Sequence, residues 1–376
     1  MSFIPFARPT IDEAMVAAVA DTLRSRWIAT GPQAAAFELA LSRYLGGRPV
    51  RALASGTAAI QVALEMIGVG PGDEVIAPAQ SFFCTANAIA RAGAAVVFVD
   101  VELASRNLDL AAAAAAVTPR TRALLPTHYN RPLDPGALAA FRARHGVRVV
   151  EDAALAIGSR AAGRPVGAAG DLVCFSFHPN KNLTTIEGGA LAVNDAAEAL
   201  AVERLRFHGI RRLDDGTRDV EVAGGKHNLS DVAASLGNAQ LPHLDAWCAR
   251  RARLAAHYFA CLEGDELLAP ERLPPRDNPG HGWNLFTALL PLAPGRPTRR
   301  AFIDAMAAEG IGVGISYEAL HLTTLFRRQG WREGQFPNAE RIARETVTLP
   351  LYPELGEAGV ERVCAAMGRV LRRKAA

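Results

Sequence analysis

Residues 171–189 read DLVCFSFHPNKNLTTIEGG, and the arrangement of the whole chain can be worked out from them. The stretch opens as a short apolar strand over 172–177, with Ser176 near its end. It then breaks at Pro179 and presents one lysine, Lys181, in a polar turn that closes on Gly188 and Gly189. A lysine just past a buried strand can lose part of its hydration, which lowers its pKa and frees the amine to form an imine with a carbonyl. A solvated loop lysine is the plainer reading of the same residue. The surrounding segments bear on the choice.

Upstream and downstream of this stretch, apolar runs of strand length alternate with helix-length segments. Strands are expected over 74–77, 95–99, 123–126, 147–151, 172–177 and 190–193. Helices are expected over 57–67, 85–92, 108–117 and 136–145. Such alternation predicts an α/β fold with a mainly parallel sheet covered on both faces by helices. Asp100, Asp152 and Asn194 fall at strand ends, where open sheets of this kind build their sites.

Before the sheet, Thr10-Ile11-Asp12-Glu13 matches a capping box, followed by Met15, Val16, Val19 and Leu23 on one helical face. Gly31–Pro32 then breaks the chain ahead of a second helix over 33–45. After residue 225 the pattern changes. Helix is expected over 230–241, interrupted at Pro242 and resumed to 262, with a linker rich in proline over 270–279. A smaller α+β unit follows: strand 283–290, helix 298–309, strand 313–317 and a last helix from 357. The chain therefore divides into a large domain over 1–245 and a small C-terminal domain over 246–376.

Composition narrows the class. The 376 residues are 50% hydrophobic and 21% charged, as in an enzyme with a sizeable core. A net charge of +3 argues against nucleic acid and anionic membranes as partners. The arginine pairs Arg211–Arg212 and Arg372–Arg373 read as solvated faces. The five cysteines are odd in number and lack Cys-x-x-Cys spacing, which suits reduced core thiols in a cytoplasmic protein. The first ten residues lack a signal-peptide pattern, and no run reaches the ~20 apolar residues of a membrane span. His178, His208 and His321 do not have metal-ligand spacing, so no metal is expected.

Four further motifs have a chemical reading and a plain one. Ser55-Gly56-Thr57 stands at a strand-to-helix junction, where it could cradle an anion or simply cap the helix. Asp152 in Glu151-Asp152-Ala153-Ala154 ends an apolar strand; it could pair with a cationic ring nitrogen or cap a helix. Phe82 could stack on a ring or belong to the core. Asn228 in GGKHNLSD could hold an anion or cap a helix. Taken with Ser176 and Lys181, these residues are what pyridoxal phosphate needs, having a phosphate, a flat ring, a pyridinium nitrogen and an aldehyde.

The ordered motifs SGTAAI, PGDEVIAP, SFFCTANAI, VVFVDV, VVEDAA, FSFHPNKN, EGG, FHG, HN, Y-x-x-L-H and TLPLYP closely resemble the DegT/StrS family of sugar-nucleotide aminotransferases. The resemblance runs from Arg8–Pro9 to about Pro353. It implies the type I (aspartate aminotransferase-like) fold with a seven-stranded sheet. It implies Lys181 as the Schiff-base lysine and Asp152 as the partner of the ring nitrogen. Phe82 would be the stacking aromatic, and Gly56, Thr57 and Ser176 phosphate contacts. Asn228 would reach the phosphate of the neighbouring subunit in a homodimer with shared sites. Tyr317 and His321 would face the sugar nucleotide. FSFHPNKN, RFHG, KHNLSD and GIGVGISYEALH most resemble the branch that aminates UDP-4-keto sugars, as in 4-amino-4-deoxy-L-arabinose synthesis, with glutamate as donor. That branch serves lipopolysaccharide or polysaccharide biosynthesis.

Two departures from the family pattern stand out. Leu155 replaces the usual Gln or His that helps hold the ring's 3-oxygen, and the turn after His128 reads YNRPLD, a residue short and without its glycine. Two other readings follow: a sugar dehydratase, whose relatives carry histidine in place of the lysine, and a non-catalytic sugar-nucleotide sensor, towards which Leu155 leans.

Overall fold

Seven short runs of small and branched apolar residues pair into one sheet. In the computed structural model, which describes residues 2–372, they are β1 (Val50–Leu53), β2 (Glu74–Pro78), β3 (Ala95–Val99), β4 (Thr121–Leu124), β5 (Arg148–Asp152), β6 (Leu172–Ser176) and β7 (Gly189–Ala192). Across the sheet the order is β1-β7-β6-β5-β4-β2-β3. The pairs β6·β5, β5·β4, β4·β2 and β2·β3 are parallel, and β7 runs antiparallel to both β1 and β6. Helices Gly56–Met66, Phe83–Arg91, Leu110–Ala115 and Pro135–His145 connect the strands and cover the sheet. Covered strands have no solvent face, so they read as continuous apolar runs rather than alternating ones.

The register brings one edge of the sheet into focus. Gly189, the first residue of β7, pairs with Ser176 at the end of β6 and with Leu53 at the end of β1. Asp152 ends the adjacent β5. Three elements far apart in the chain thus finish side by side at the carboxyl edge of the parallel strands, where an open sheet leaves a crevice.

The C-terminal unit is built on helix Leu244–Leu262, an antiparallel ladder of Phe286–Leu289 with Thr346–Leu349, and helices Arg299–Ala308 and Gly356–Arg372. Its core gathers Tyr258, Phe286, Phe302, Met306, Val347, Val363 and Met367. The long helix joins the two cores: Leu244 and Cys248 pack with Phe175 and Phe177 near the sheet, and Leu254 to Leu262 pack in the small unit.

Several local expectations shift. The first helix spans Glu13–Ser25 and is capped by Asp12, whose carboxylate accepts from the Met15 N–H at 2.9 Å. Thr10 instead donates to Glu354; aspartate two residues later outcompetes it as a cap. Pro242 does not stop the helical path, which passes through a 3-10 turn, Leu241–His243. Residues 313–317 form no strand and pair only at Gly314 with Thr348. Glycines at 312 and 314 leave that segment little side chain to bury against a ladder. All five cysteines are free, but Cys261 is exposed rather than in the core. No helix among the described residues is long and apolar enough to cross a membrane. Arg373 of the Arg372–Arg373 pair lies outside the described residues.

Candidate active site

A cavity of about 300 Å³ opens at the carboxyl edge of the sheet. Ser55, Gly56, Thr57, Phe82, Asp152, Ser176, Lys181 and Tyr317 all line it. Eight residues spread over more than 250 positions of sequence therefore meet in one crevice, because β1, β5 and β6 end there.

The Ser55–Thr57 wall is set by backbone contact. Ser55 caps the helix Gly56–Met66, its hydroxyl accepting from the Ala58 N–H at 3.0 Å. The capping reading of Ser55 therefore holds, and it leaves the first-turn N–H groups of Gly56 and Thr57 without a carbonyl in their own helix. Those groups, at the positive end of the helix, suit a phosphate. A methyl group at Gly56 would lie 2.8 Å from Ser176 Cβ and 3.2 Å from the Phe175 carbonyl oxygen. One at Gly189 would fall 2.4 Å from the Ser55 carbonyl carbon. Both glycines are there because backbones approach too closely for any side chain.

Asp152 is 2% exposed, with Oδ2 accepting from the Thr85 hydroxyl at 3.1 Å and Oδ1 from the Ala154 N–H at 3.1 Å. Burial pushes its pKa up, opposed by those two bonds and by Lys181 and His128. A buried carboxylate of this kind is stabilised as an anion by a cation brought against it, which a protonated ring nitrogen supplies. Burial lowers the Lys181 amine to about 8, with Asp152 and then Cys84 working in the opposite direction. An amine near 8 is partly neutral at physiological pH and so available as nucleophile and base. Phe82 precedes the helix Phe83–Arg91 and is 48% exposed on the cavity wall. Its edge meets the Tyr317 ring at 5.5 Å between centroids.

Two expected site residues lie elsewhere. His321 is fully buried against Phe98 and Phe336 and bonds Glu340 through Nε2 at 3.1 Å; it is not a lining residue of the cavity. Asn228 sits on a separate surface cavity of about 600 Å³ with Thr30, Arg204, Arg211, Arg212 and Arg218. Its amide donates to the Thr30 hydroxyl and accepts from Lys226.

Other polar groups went unread in the sequence. Ser81, Thr127, Asn180 and Glu187 line the same cavity, and Thr85 lies directly behind Asp152. Cys84, expected as a core thiol, and His178, expected on the substrate side or in the core, line it too. Ser81 bonds Thr85 at 3.0 Å and Thr127 at 3.1 Å, making a buried chain of three hydroxyls that ends on Asp152. Leu155 forms an apolar wall with Tyr129 and Leu285 beside this chain.

The residues present fit pyridoxal phosphate: an N-terminal helix turn too tight for a side chain, a buried acid, a depressed lysine and an exposed aromatic ring in one cavity. Fold and site together define a pyridoxal-phosphate-dependent transaminase of the type I architecture. The chain belongs to the DegT/DnrJ/EryC1/StrS aminotransferase family, whose model matches residues 9–368. Among solved structures it is similar to S. venezuelae DesV in complex with a ketimine intermediate, at 33% identity over 99% of this chain and 100% of that one (TM-score 0.89). It is similar to the aminotransferase TlmJ from Streptoalloteichus hindustanus at 33% identity over 96% and 97% (TM-score 0.87). A Streptococcus pneumoniae protein named as a sugar aminotransferase, Spr1654, matches in its PLP form at 28% identity over 98% and 100% (TM-score 0.89).

Proposed function

We propose that the chain is a sugar-nucleotide aminotransferase that takes an amino group from glutamate and places it on the keto carbon of a UDP-4-keto sugar. The observation that carries the reading is the meeting of Lys181 and Asp152 in one cavity with the Ser55–Thr57 turn and the Phe82 ring. The family membership and the sugar aminotransferase among its structural relatives support a sugar acceptor. The UDP-4-keto assignment rests on the sequence motifs around Lys181, Asn228 and Tyr317.

Pyridoxal phosphate, when bound, supplies a ring that withdraws electrons and carries the amino group between the two substrates. Thr57, Ser176 and the Gly56 N–H would hold its phosphate. Phe82 and Ala154 would pack its faces, and Asp152 would keep the proton on its ring nitrogen. Lys181 would anchor its aldehyde carbon and, once displaced by the donor amine, carry a proton on Nζ between the substrate carbon and the aldehyde carbon. Tyr317 would face the acceptor, bringing the unit over 246–376 against the cofactor unit over 1–245. Asn228 would serve the site of a second subunit in a homodimer. Free thiols throughout support a cytoplasmic setting.

The experiment is spectroscopic. Protein given pyridoxal phosphate should acquire a visible absorbance band that Lys181→Ala lacks, and glutamate should abolish the band in the wild type. UDP-, dTDP- and GDP-linked keto sugars should then restore it selectively, the UDP-4-keto sugar fastest. Wild-type protein that never retains the cofactor would sink the reading, and a band insensitive to glutamate would favour a sensor.

A further inference from the structure

Arg106 is 3% exposed, and among the described residues no carboxylate pairs with it. Burial lowers its pKa, and the Tyr129 hydroxyl beside it opposes that shift. A guanidinium buried without a carboxylate is costly to desolvate, so its presence is explained by what its donors hold. Its backbone is also in the left-handed region, φ 59°, which non-glycine residues rarely adopt.

Everything the guanidinium touches leads to one peptide. Nη1 donates to the Ser316 carbonyl at 3.2 Å and to Thr346 Oγ1 at 2.7 Å. Thr346 donates to the same carbonyl at 3.2 Å, and so does the Tyr129 hydroxyl. Three side chains from three separate segments thus converge on one oxygen, immediately before Tyr317. A second connection runs through rings. The Arg106 guanidinium lies 5.6 Å from the centroid of Tyr129, Tyr129 meets Tyr317 edge-on at 5.7 Å, and Tyr317 meets Phe82 at 5.5 Å. Beyond Tyr317 the chain is tied down again, by Gln80 on the Tyr317 carbonyl and by the Leu320 N–H on Ala79.

We propose that Arg106 is a positioning residue: through Ser316 and Tyr129 it holds Tyr317, and with it Phe82, at the mouth of the cofactor cavity. Segment 313–317 has no strand ladder of its own, so these donors take the place that sheet hydrogen bonds would have in ordering it. The consequence for acceptor binding rests on the proposed function; the clamp itself does not.

The test uses the full chain with Arg106→Met, which keeps the volume and removes the charge and donors, and Tyr129→Phe, which removes one donor and keeps the ring. Hydrogen–deuterium exchange should accelerate in peptides covering 314–322 and stay unchanged over the sheet, while Tm is held or raised in Arg106→Met. With pyridoxal phosphate, glutamate and a UDP-linked 4-keto sugar, the acceptor KM should rise about tenfold, the equivalent of one or two lost hydrogen bonds, with kcat held within about twofold. Unchanged exchange over 314–322 in both variants overturns the clamp. So does a loss of Tm with faster exchange everywhere, which marks a general structural role. Wild-type protein that fails to turn over the sugar counts against the proposed function alone, and the exchange result still decides the clamp.

Discussion

Thr85, in the first turn of the helix that follows β2, donates its hydroxyl hydrogen to Asp152 Oδ2 at 3.1 Å, and both side chains are buried. The single Thr85 proton is committed to that carboxylate oxygen. Ser81 must then donate to Thr85, and Thr127 to Ser81. All three hydroxyls point the same way, each polarising the next towards Asp152. The chain offsets part of the burial that pushes the Asp152 pKa up.

Thr85→Val keeps the shape and deletes the donor. A hydrogen bond to a charged group contributes about 1.5–3 kcal/mol, so Thr85→Val should weaken pyridoxal phosphate binding by at least about tenfold, while Thr85→Ser stays close to wild type. Equilibrium dialysis of the cofactor measures both. Equal retention by Thr85→Val and wild type would show that the hydroxyl chain does not support the Asp152 charge.

The depressed Lys181 amine makes a prediction for the protein without cofactor. Its folded pKa is about 8 against 10.5 in the unfolded chain, so the unfolded chain binds the proton more tightly. Protonation therefore favours unfolding. The penalty is complete below about pH 8 and is lifted as pH rises towards 10.5. Lys181→Met lacks the penalty and should be more stable at pH 7, by up to about 3 kcal/mol. Its advantage should shrink above pH 8. Urea unfolding of the two proteins from pH 6 to 10 follows the effect, which is read from the change between pH 8 and 10, because Asp152 also loses the favourable Lys181 charge in the variant. Parallel stability curves would contradict the lowered amine.

Gly56→Ala inserts a methyl between the helix start and β6, where the nearest atoms include Ser176 Cα and the Phe175 carbonyl at 3.2 Å. Backbone atoms cannot turn aside, so the helix must shift. Overpacking of this kind costs about 1–3 kcal/mol, and the shift also moves the Gly56 and Thr57 N–H groups away from where they would hold the phosphate in the proposed function. Both Tm and cofactor affinity should fall. Gly70→Ala, with nothing within 4 Å of the new methyl, serves as the control and should be close to neutral. A Gly56→Ala protein that loses stability but binds cofactor normally would mean that this turn does not hold the phosphate.

Much of this was legible in the amino-acid order, for physical reasons that particular residues make clear. Strands such as Glu74–Pro78 are buried throughout, so their apolar runs stood out against the helical segments between them. Asp152 was legible because it ends such a strand, and Lys181 because it lies in the polar turn after one. Contacts between distant segments were not. Thr85 and Asp152 are 67 residues apart, and only the parallel pairing that places β2 and β5 on either side of β4 brings them together. Tyr317 and His321 have the spacing of one helical face, but no helix runs between them. A 3-10 turn, Leu320–Leu322, follows irregular chain and turns His321 inward to Glu340. The 313–317 segment was misread as a strand for a related reason, since valine and isoleucine there are separated by glycine.

Asn228 lies apart from the cavity of its own chain. Its backbone bridges Leu53, two residues before the Ser55 cap, but its side chain turns to Thr30 and lies outside the cavity that holds Lys181. If it serves a second subunit, Lys181→Ala and Asn228→Ala should complement each other. In a mixed dimer, the Asn228→Ala chain keeps its own Lys181 and receives Asn228 from its partner, so one of the two sites is whole. Half the dimers in an equal mixture are mixed, so the mixture should recover about a quarter of wild-type activity, above either variant alone. The control is each variant unfolded and refolded by itself. Verified mixed dimers with no recovery would place Asn228 in the site of its own chain, or in none.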